Sequence, residues 1–547
     1  MLLFNGRDAY LFTLGNCIFY KHKNMKANPF RTFKNGISAG IFIFGLFKVF
    51  LRLLRDSAKV ILHKKSSFQN CRSKQEYIYR TNRIQEITGA SELLSSLFKD
   101  FFNEENKQFR IKGNWHEKAV GDFIDNFNNS GLDAEVVYEG GGNLCVIFKD
   151  KETYIRVNKA LSRQVLEKTY AVSIIASAAE VSGNFVSDRK KLYAENAMQK
   201  NLGSYHIPCN VLPFTQVDRL TYQPIVKKSG GKEYTSESKR KQRKYDEISK
   251  NVKADKKQIH ENELDLMTEK GTESLLAIIY IDGNNMGSKV KETTKDLTDY
   301  TSGVNALRKF SEETNRDFVE KPIKAIEEKL TELYNSENEH KNRFFYRKVI
   351  SGGDEITIIC NAHAVPAILN TYFETLTAES SNSACAGVAI FHSHAPFADV
   401  YEIAEQSCEM GKKRSHIKEN RDKNYIDFHY CHAGITNSLD EIRDRQEAKF
   451  TARPYEYSTD WKQFCDYGNI LKSINRSDVK ALGEAIVKGD SYYKAELRRI
   501  KSRQKNDSLF NKEINENDDR IKKFIYDIAI VYDLWFDDTE VNINEQN

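Results

Sequence analysis

The run VISGGDEITII, from Val349 to Ile359, joins two short β-rich segments through a glycine turn and sets Asp354 and Glu355 at the start of the second. Turn chemistry of this kind reads as a β-hairpin. Upstream, LLAIIYIDGNNMG from Leu275 to Gly287 is a continuous apolar strand that ends on Asp282, where the chain turns away from its sheet. Residues 304–334, between the two, have helical spacing, and beyond the hairpin the pattern predicts a helix over 364–376, a strand over 384–391, a helix over 397–414 and a strand over 425–430. The order is β-α-α-β-turn-β, an antiparallel sheet with helices on one face, which is the ferredoxin-like arrangement. In such a sheet the first strand lies beside the central hairpin, so Asp282 is expected to face Asp354 and Glu355.

Three grouped carboxylates repel one another unless a cation compensates them, and a hard divalent ion with oxygen ligands suits that purpose. Two such ions about 4 Å apart can activate an attacking hydroxyl and stabilise the leaving pyrophosphate. Asp282, Asp354 and Glu355 are therefore the candidate catalytic and metal-holding residues, with Ile281 counted in the metal-contacting set; Mg2+ or Mn2+ is the natural choice. Gly352 and Gly353 let a base or phosphate approach the backbone. Gly283, Asn284 and Asn285, after the strand-end aspartate, suit a turn or a hydrogen bond to ribose. Lys412 and Lys413 can reach a triphosphate as point charges, or cap a helix C-terminus. His392 and His394 have no carboxylate at ligand spacing and read as loop residues. A Gly-Asp turn alone is common in hairpins; its conjunction with the strand-end aspartate, in this order, carries the reading.

The N-terminal half repeats the pattern in kind. A short strand is expected from Tyr77-Ile78-Tyr79 and a helix over 91–102, and a hairpin of 134–138 with 144–148 turns through Gly140-Gly141-Gly142-Asn143. A long helix is expected over 157–180. No carboxylate follows these glycines, and Thr81-Asn82 stands where the strand-end aspartate is expected, so this module cannot hold two metals as written. It either binds a second nucleotide through Arg83, Ser91 and the glycine backbone or supports a pseudosymmetric interface. The lysine-rich stretch 227–263, with Lys239-Arg240-Lys241-Gln242-Arg243-Lys244, reads as a mobile linker whose basic run is a solvated face or a nucleic-acid contact. Residues 476–503 and 518–535 have helical spacing and form a separate helical tail.

With 547 residues, 40% hydrophobic and 29% charged, the chain has the balance of a multidomain globular protein. A net charge of +6, from 83 basic against 77 acidic residues, does not announce a nucleic-acid coat protein. No Cys-x-x-Cys pair exists among the nine cysteines, so zinc is not expected and a reduced, cytoplasmic compartment fits. The apolar stretch 37–62 is interrupted by Lys48, Arg52 and Arg55 before it reaches the roughly 20 residues of a membrane span. It reads as a basic amphipathic helix, docked on the body or extending from it, with membrane-surface contact the lesser alternative.

Taken together, YIYRTNRIQEITGASELLSSLF (Tyr77 to Phe98), YEGGGNLCVIF (Tyr138 to Phe148), LPFTQVDRLTYQP (Leu212 to Pro224), IIYIDGNNMGSKV (Ile278 to Val290), VISGGDEITII and the segment Cys385 to Lys413 resemble the CRISPR polymerase-cyclase family, the large subunit of type III CRISPR effector complexes and its stand-alone relatives. The resemblance implies an α+β chain of two ferredoxin-like palm (nucleotide-cyclase, GGDEF-like) modules. Its expected parts are an N-terminal extension (1–72), a first palm without catalytic carboxylates (73–226), a basic linker (227–270), a second palm (271–432) and a helical C-terminal domain (433–547). It implies ATP as substrate, cyclic oligoadenylates as antiviral second messengers, Ser351, Gly352 and Gly353 lining the nucleotide pocket, and guide or target RNA and other effector subunits as partners.

Three departures stand out. The hairpin reads Gly-Gly-Asp-Glu, nearer the GGDEF cyclases that use GTP; no HD motif precedes the first palm; and the cysteine quartet that many members carry between the palms is replaced by the basic stretch. A GTP-using cyclase, and an inactive palm scaffold that holds guide RNA or nucleotide, are the alternative readings.

Overall fold

The computed structural model describes residues 9–14, 17–22, 65–71, 74–105, 108–140, 142–202, 214–251, 259–261, 266–268, 274–337, 339–378, 382–431, 438–446, 449–505 and 508–536. The chain divides into two units, Met1–Leu62 and His63–Asn547. In the first, β1 (Ala9–Leu14) and β2 (Cys17–His22) pair antiparallel and close at Leu14 and Cys17. The expected amphipathic segment 37–62 lies outside the described residues. No helix among the described residues is long and apolar enough to cross a membrane.

The second unit holds two sheets. β3 (Lys65–Cys71), β4 (Ile111–Lys112), β5 (Ala134–Gly140), β6 (Asn143–Phe148) and β7 (Ile174–Glu180) form one in the order β4-β5-β6-β3-β7. β8 (Ile225–Ser229) and β9 (Lys232–Thr235) make a separate ribbon. β10 (Leu275–Gly283), β11 (Tyr346–Gly352), β12 (Glu355–Asn361), β13 (Ala384–His392), β14 (Tyr425–Tyr430) and β15 (Tyr455–Glu456) form the other, ordered β11-β12-β10-β13-β14-β15. Each sheet contains a hairpin, then the module's opening strand, then the strand that follows the hairpin: β5-β6-β3-β7 and β11-β12-β10-β13. That order is ferredoxin-like, twice over.

β10 reads as unbroken apolar sequence because both its faces are covered. Leu276, Ile278 and Tyr280 belong to one buried cluster, shared with the first palm, while Ala277, Ile279 and Ile281 belong to another. A strand buried on both faces loses the in-out alternation of a half-exposed one. The helix Phe397–Ser415 packs over β13 so closely that a Cβ on Gly387 would stand 2.0 Å from the Ala404 carbonyl oxygen and 2.3 Å from the Cys408 nitrogen. Both are backbone atoms and cannot swing aside. Gly387→Ala is therefore expected to cost about 2–3 kcal/mol, read as a lower urea midpoint at unchanged m-value.

Several sequence expectations fail here, each for a local reason. Tyr77-Ile78-Tyr79 is not a strand but the buried end of the helix Lys74–Tyr79, and the first palm's opening strand is the polar β3, which moves that module's start ahead of residue 73. The helix expected over 157–180 ends at Thr169, because Tyr170 takes φ 72° and Thr169 Oγ1 accepts from Val172 N; residues 174–180 are then β7. The supposed linker is folded across 225–251, as β8, β9 and the helix Ser236–Asn251. Its Lys241 is wholly buried, pairs with Glu237 at 2.7 Å and lies 4.2 Å from the centre of the Tyr77 ring. Helix 476–503 breaks at Gly489 (φ 125°) into Arg476–Lys488 and Asp490–Lys501. Nor is the tail separate: Tyr455, Trp461, Phe464 and Ile525 share one core with Ile356, Phe373 and Phe428, and β15 extends the second sheet by pairing Tyr455 with Ile426.

Candidate active site

Pairing between β10 and β12 sets Asp282 directly opposite Glu355, and Gly283 N donates to the Asp354 carbonyl at 3.2 Å. The hairpin turns at Gly353, whose φ of 67° lies in the left-handed region open to glycine, and Gly352 pairs with Glu355 to close it. The strand-end and hairpin carboxylates therefore meet through sheet register, as the spacing predicts.

Burial pushes the Asp354 carboxyl up to about 7, helped by the charge and hydrogen bond of neighbouring Asp282 and offset in part by Lys412. Lys412, from the helix Phe397–Ser415, donates to Asp282 Oδ2, with only 15% of its side chain exposed. Glu355 behaves differently. Burial raises its pKa first, Lys74 and a hydrogen bond from Gln75 pull it down, and Asp282 raises it again. Its Oε1 is buried with no hydrogen-bond partner among the described residues. Its carboxylate is thus in reach of Lys74 and Gln75 on the helix Lys74–Tyr79. Among the described residues no three His, Cys, Asp or Glu side chains gather at ligand distances; Asp282 and Asp354 are two oxygen donors joined by a hydrogen bond, the chemistry a hard divalent cation takes. Ile281 is fully buried in the core; an isoleucine offers a metal only its carbonyl, and here neighbouring strands pair with it on both sides.

A buried acid whose pKa rises on folding stabilises the fold in its protonated form. The sign follows: below about pH 4 the carboxyl is neutral in both states and the fold keeps its full stability, which falls as pH rises from about 4 to about 7. Asp354→Asn removes that loss. In chelator, the variant is expected to melt higher than the wild type at pH 8, with the gap closing at pH 5, as read by circular dichroism.

Beside the hairpin, a cavity of about 850 Å³ separates the two palms. Ser351, Gly352 and Gly353 line it from the second palm, Gly140 and Gly142 from the first, with Trp115, His116, Glu139 and Arg316 around them. Lys74 Nζ lies 2.6 Å from where a Cβ on Gly142 would stand, placing a cation between the two hairpins.

The other expected contacts are elsewhere. Arg83 is held by Glu86 at 2.8 Å and the Glu233 carbonyl at 3.0 Å, and Ser91 Oγ donates to the Val349 carbonyl, so it ties the palms together. Asn284 is buried and spent on Ser383 Oγ and the Lys423 carbonyl; Asn285 takes the left-handed turn (φ 58°) and donates to the Arg421 carbonyl. Lys413 points to Asp440 at 3.4 Å, not to the carboxylates. In the first palm, Asn70 pairs with Asn143 where the second pairs Asp282 with Glu355, so Asn70 and not Thr81-Asn82 is the counterpart. Asn82 instead caps the helix Phe397–Ser415, accepting from Phe397 N at 2.9 Å. Lys74, Trp115 and Arg316 escaped the sequence reading: each becomes a site residue only once the palms face each other.

Residues 275–426 match the family model for the Cas10/Cmr2 second palm domain. No curated protein matches. Among solved structures, the chain is similar to a Csm1–Csm4 cassette in complex with cA4 (12% identity, 86% of this chain and 70% of that one, TM-score 0.44) and to the cassette in complex with pppApA (12%, 86% and 69%, 0.46). It is similar also to Csm1 of T. onnurineus (12%, 76% and 62%, 0.41). The segment 275–426 is thus similar to the second palm domain of Cas10/Cmr2.

Proposed function

We propose that this chain is a nucleotidyltransferase of CRISPR-type antiviral defence that joins ATP into cyclic oligoadenylate-type second messengers. One observation carries the reading: Asp282 and Asp354 lie side by side at a glycine hairpin that borders a cavity of about 850 Å³, within the size range of nucleotide-sized sites. Each joining step forms a 3′–5′ phosphodiester between a 3′-hydroxyl and an α-phosphorus, breaks the α–β phosphoanhydride and releases pyrophosphate, with the hydroxyl proton passing to solvent. Asp282 and Asp354 would hold Mg2+ or Mn2+, two ions with Glu355 as the further ligand, which when bound supply charge neutralisation and a more acidic hydroxyl. Ser351, Gly352 and Gly353 admit the phosphates and base to the backbone. Lys412 orients Asp282 by its ion pair, and Lys74, between the hairpins, offers a cation to a triphosphate. Other effector subunits and a guide or target RNA are the proposed partners.

The experiment is incubation of purified protein with each of the four ribonucleoside triphosphates and Mn2+, followed by mass spectrometry. Cyclic oligoadenylates with stoichiometric pyrophosphate are expected from ATP. Product from GTP alone would make it a GTP cyclase. The inactive-scaffold alternative draws on one observation, that the Glu355 carboxylate is in reach of Lys74 and Gln75; absence of product from all four nucleotides, with nucleotide still bound, would establish it.

A further inference from the structure

We propose that the ribbon of residues 214–235, at the head of the helix Ser236–Asn251, is a docking surface for a single-stranded polynucleotide. Ile225 N donates to the Gln216 carbonyl and Asp218 N to the Gln223 carbonyl, both at 2.9 Å, so the segment before β8 folds back on it as a hairpin. Asp218 fixes the tip: its Oδ2 accepts from Leu220 N, Thr221 N and Thr221 Oγ1 at 2.8–3.1 Å, and Tyr222 is held at φ 54°. At the base, Gln223 Nε2 donates to buried Glu237 at 2.7 Å. The frame is anchored, yet Phe214, Leu220, Tyr222 and Val226 are 85%, 59%, 73% and 53% exposed. A fixed loop that presents two aromatic rings and two aliphatic side chains to solvent is a surface kept for a ligand.

Charge selects the ligand. Arg219, Lys227, Lys232 and Lys239 are exposed and have no ion pair among the described residues. The carboxylates of the same stretch are spent: Asp218 on the turn, Glu233 on Lys228 at 2.7 Å and Gln216 at 3.0 Å, and Glu237 in the interior with Arg80 and Lys241. The surface is therefore cationic and aromatic together, the combination that neutralises phosphates and stacks bases without reading sequence. An apolar protein partner has no need of four uncompensated cations.

The test is fluorescence anisotropy with the full chain and a 5′-fluorescein 20-mer of uridine, the same length of thymidine, and a duplex RNA, over a series of salt concentrations. Single strands are expected to bind more tightly than duplex. Tyr222→Ala is expected to weaken binding roughly tenfold, with Tyr222→Phe, which keeps the ring, at wild-type affinity. Arg219→Glu with Lys227→Glu is expected to lower the slope of log K against log salt by about 1.4, the loss of two single-strand phosphate contacts. Lys324→Glu, on the second palm, shifts the net charge in the same direction by half as much and should leave binding within about twofold. Equal binding of both strands assigns recognition to phosphate and base, and preference for uridine adds the 2′-hydroxyl. The proposal is overturned if Tyr222→Ala and the double variant bind as the wild type does, if Lys324→Glu weakens binding equally, or if the wild type binds no single strand, in which case the apolar tip belongs to a protein partner.

Discussion

Asp354→Asn is expected to cut pyrophosphate release from ATP at least about 100-fold while the protein stays folded. Losing even an outer-shell partner of a metal ligand typically costs about 10–100-fold, and Asp354 is proposed as a ligand itself. The amide keeps the shape of the turn but cannot supply the negative charge a divalent ion needs. Folding is not at risk, since the carboxyl is pushed up to about 7 by its own burial and by Asp282. Removing that charge relieves the metal-free fold. The result thus separates catalysis from stability: activity collapses and thermal stability holds or improves. Equal activity in the variant would remove Asp354 from the chemistry.

The largest expected effect on stability lies elsewhere. Arg453→Met is expected to destabilise the chain by roughly 3–5 kcal/mol, because it strips the buried Asp527 of its counter-charge. Both side chains are fully buried, 3.1 Å apart. Asp527 also accepts from Thr451 Oγ1 at 2.9 Å and Ala452 N at 3.2 Å and from the Tyr455 hydroxyl, while Arg453 donates to the Phe428 carbonyl and lies 4.6 Å over that ring. This knot fastens the last helix, Asp519–Trp535, to β14 and β15 of the second palm. Burial raises the Asp527 pKa against the pull of Arg453, so the aspartate takes up a proton when its partner is lost. Urea denaturation should show the loss, and Arg453→Met combined with Asp527→Leu should recover part of it, as replacement of a buried ion pair by apolar residues often does.

How much the sequence told depends on whether a residue's role was set by its neighbours in the chain. Leu275 to Ile281 and the Gly352-Gly353 turn carried local signals, and with them came the ferredoxin-like order and the approach of Asp282 to Asp354. β3, Lys65-Ser66-Ser67-Phe68-Gln69-Asn70-Cys71, is a central strand with hardly any apolar pattern, so its sequence carries no strand signal, whereas the apolar Tyr77-Ile78-Tyr79 that does is helical. Lys241 looked solvated because its compensation, Glu237 and the Tyr77 ring, comes from tertiary packing. Asn284 looked ready for ribose until Ser383 and the Lys423 carbonyl claimed it. Glu355 is the instructive case: the sequence put it at the hairpin correctly, but only the helix Lys74–Tyr79 brings Lys74 and Gln75 within reach of its carboxylate.

Everything proposed for the chemistry rests on Asp282 and Asp354 acting together as the seat of divalent cations. Electron paramagnetic resonance of free Mn2+, titrated with protein and a non-hydrolysable ATP analogue, measures that directly. The account predicts two bound ions per wild-type chain, with binding lost in Asp282→Asn and in Asp354→Asn. Undiminished Mn2+ binding in both variants, or none in the wild type, would contradict it.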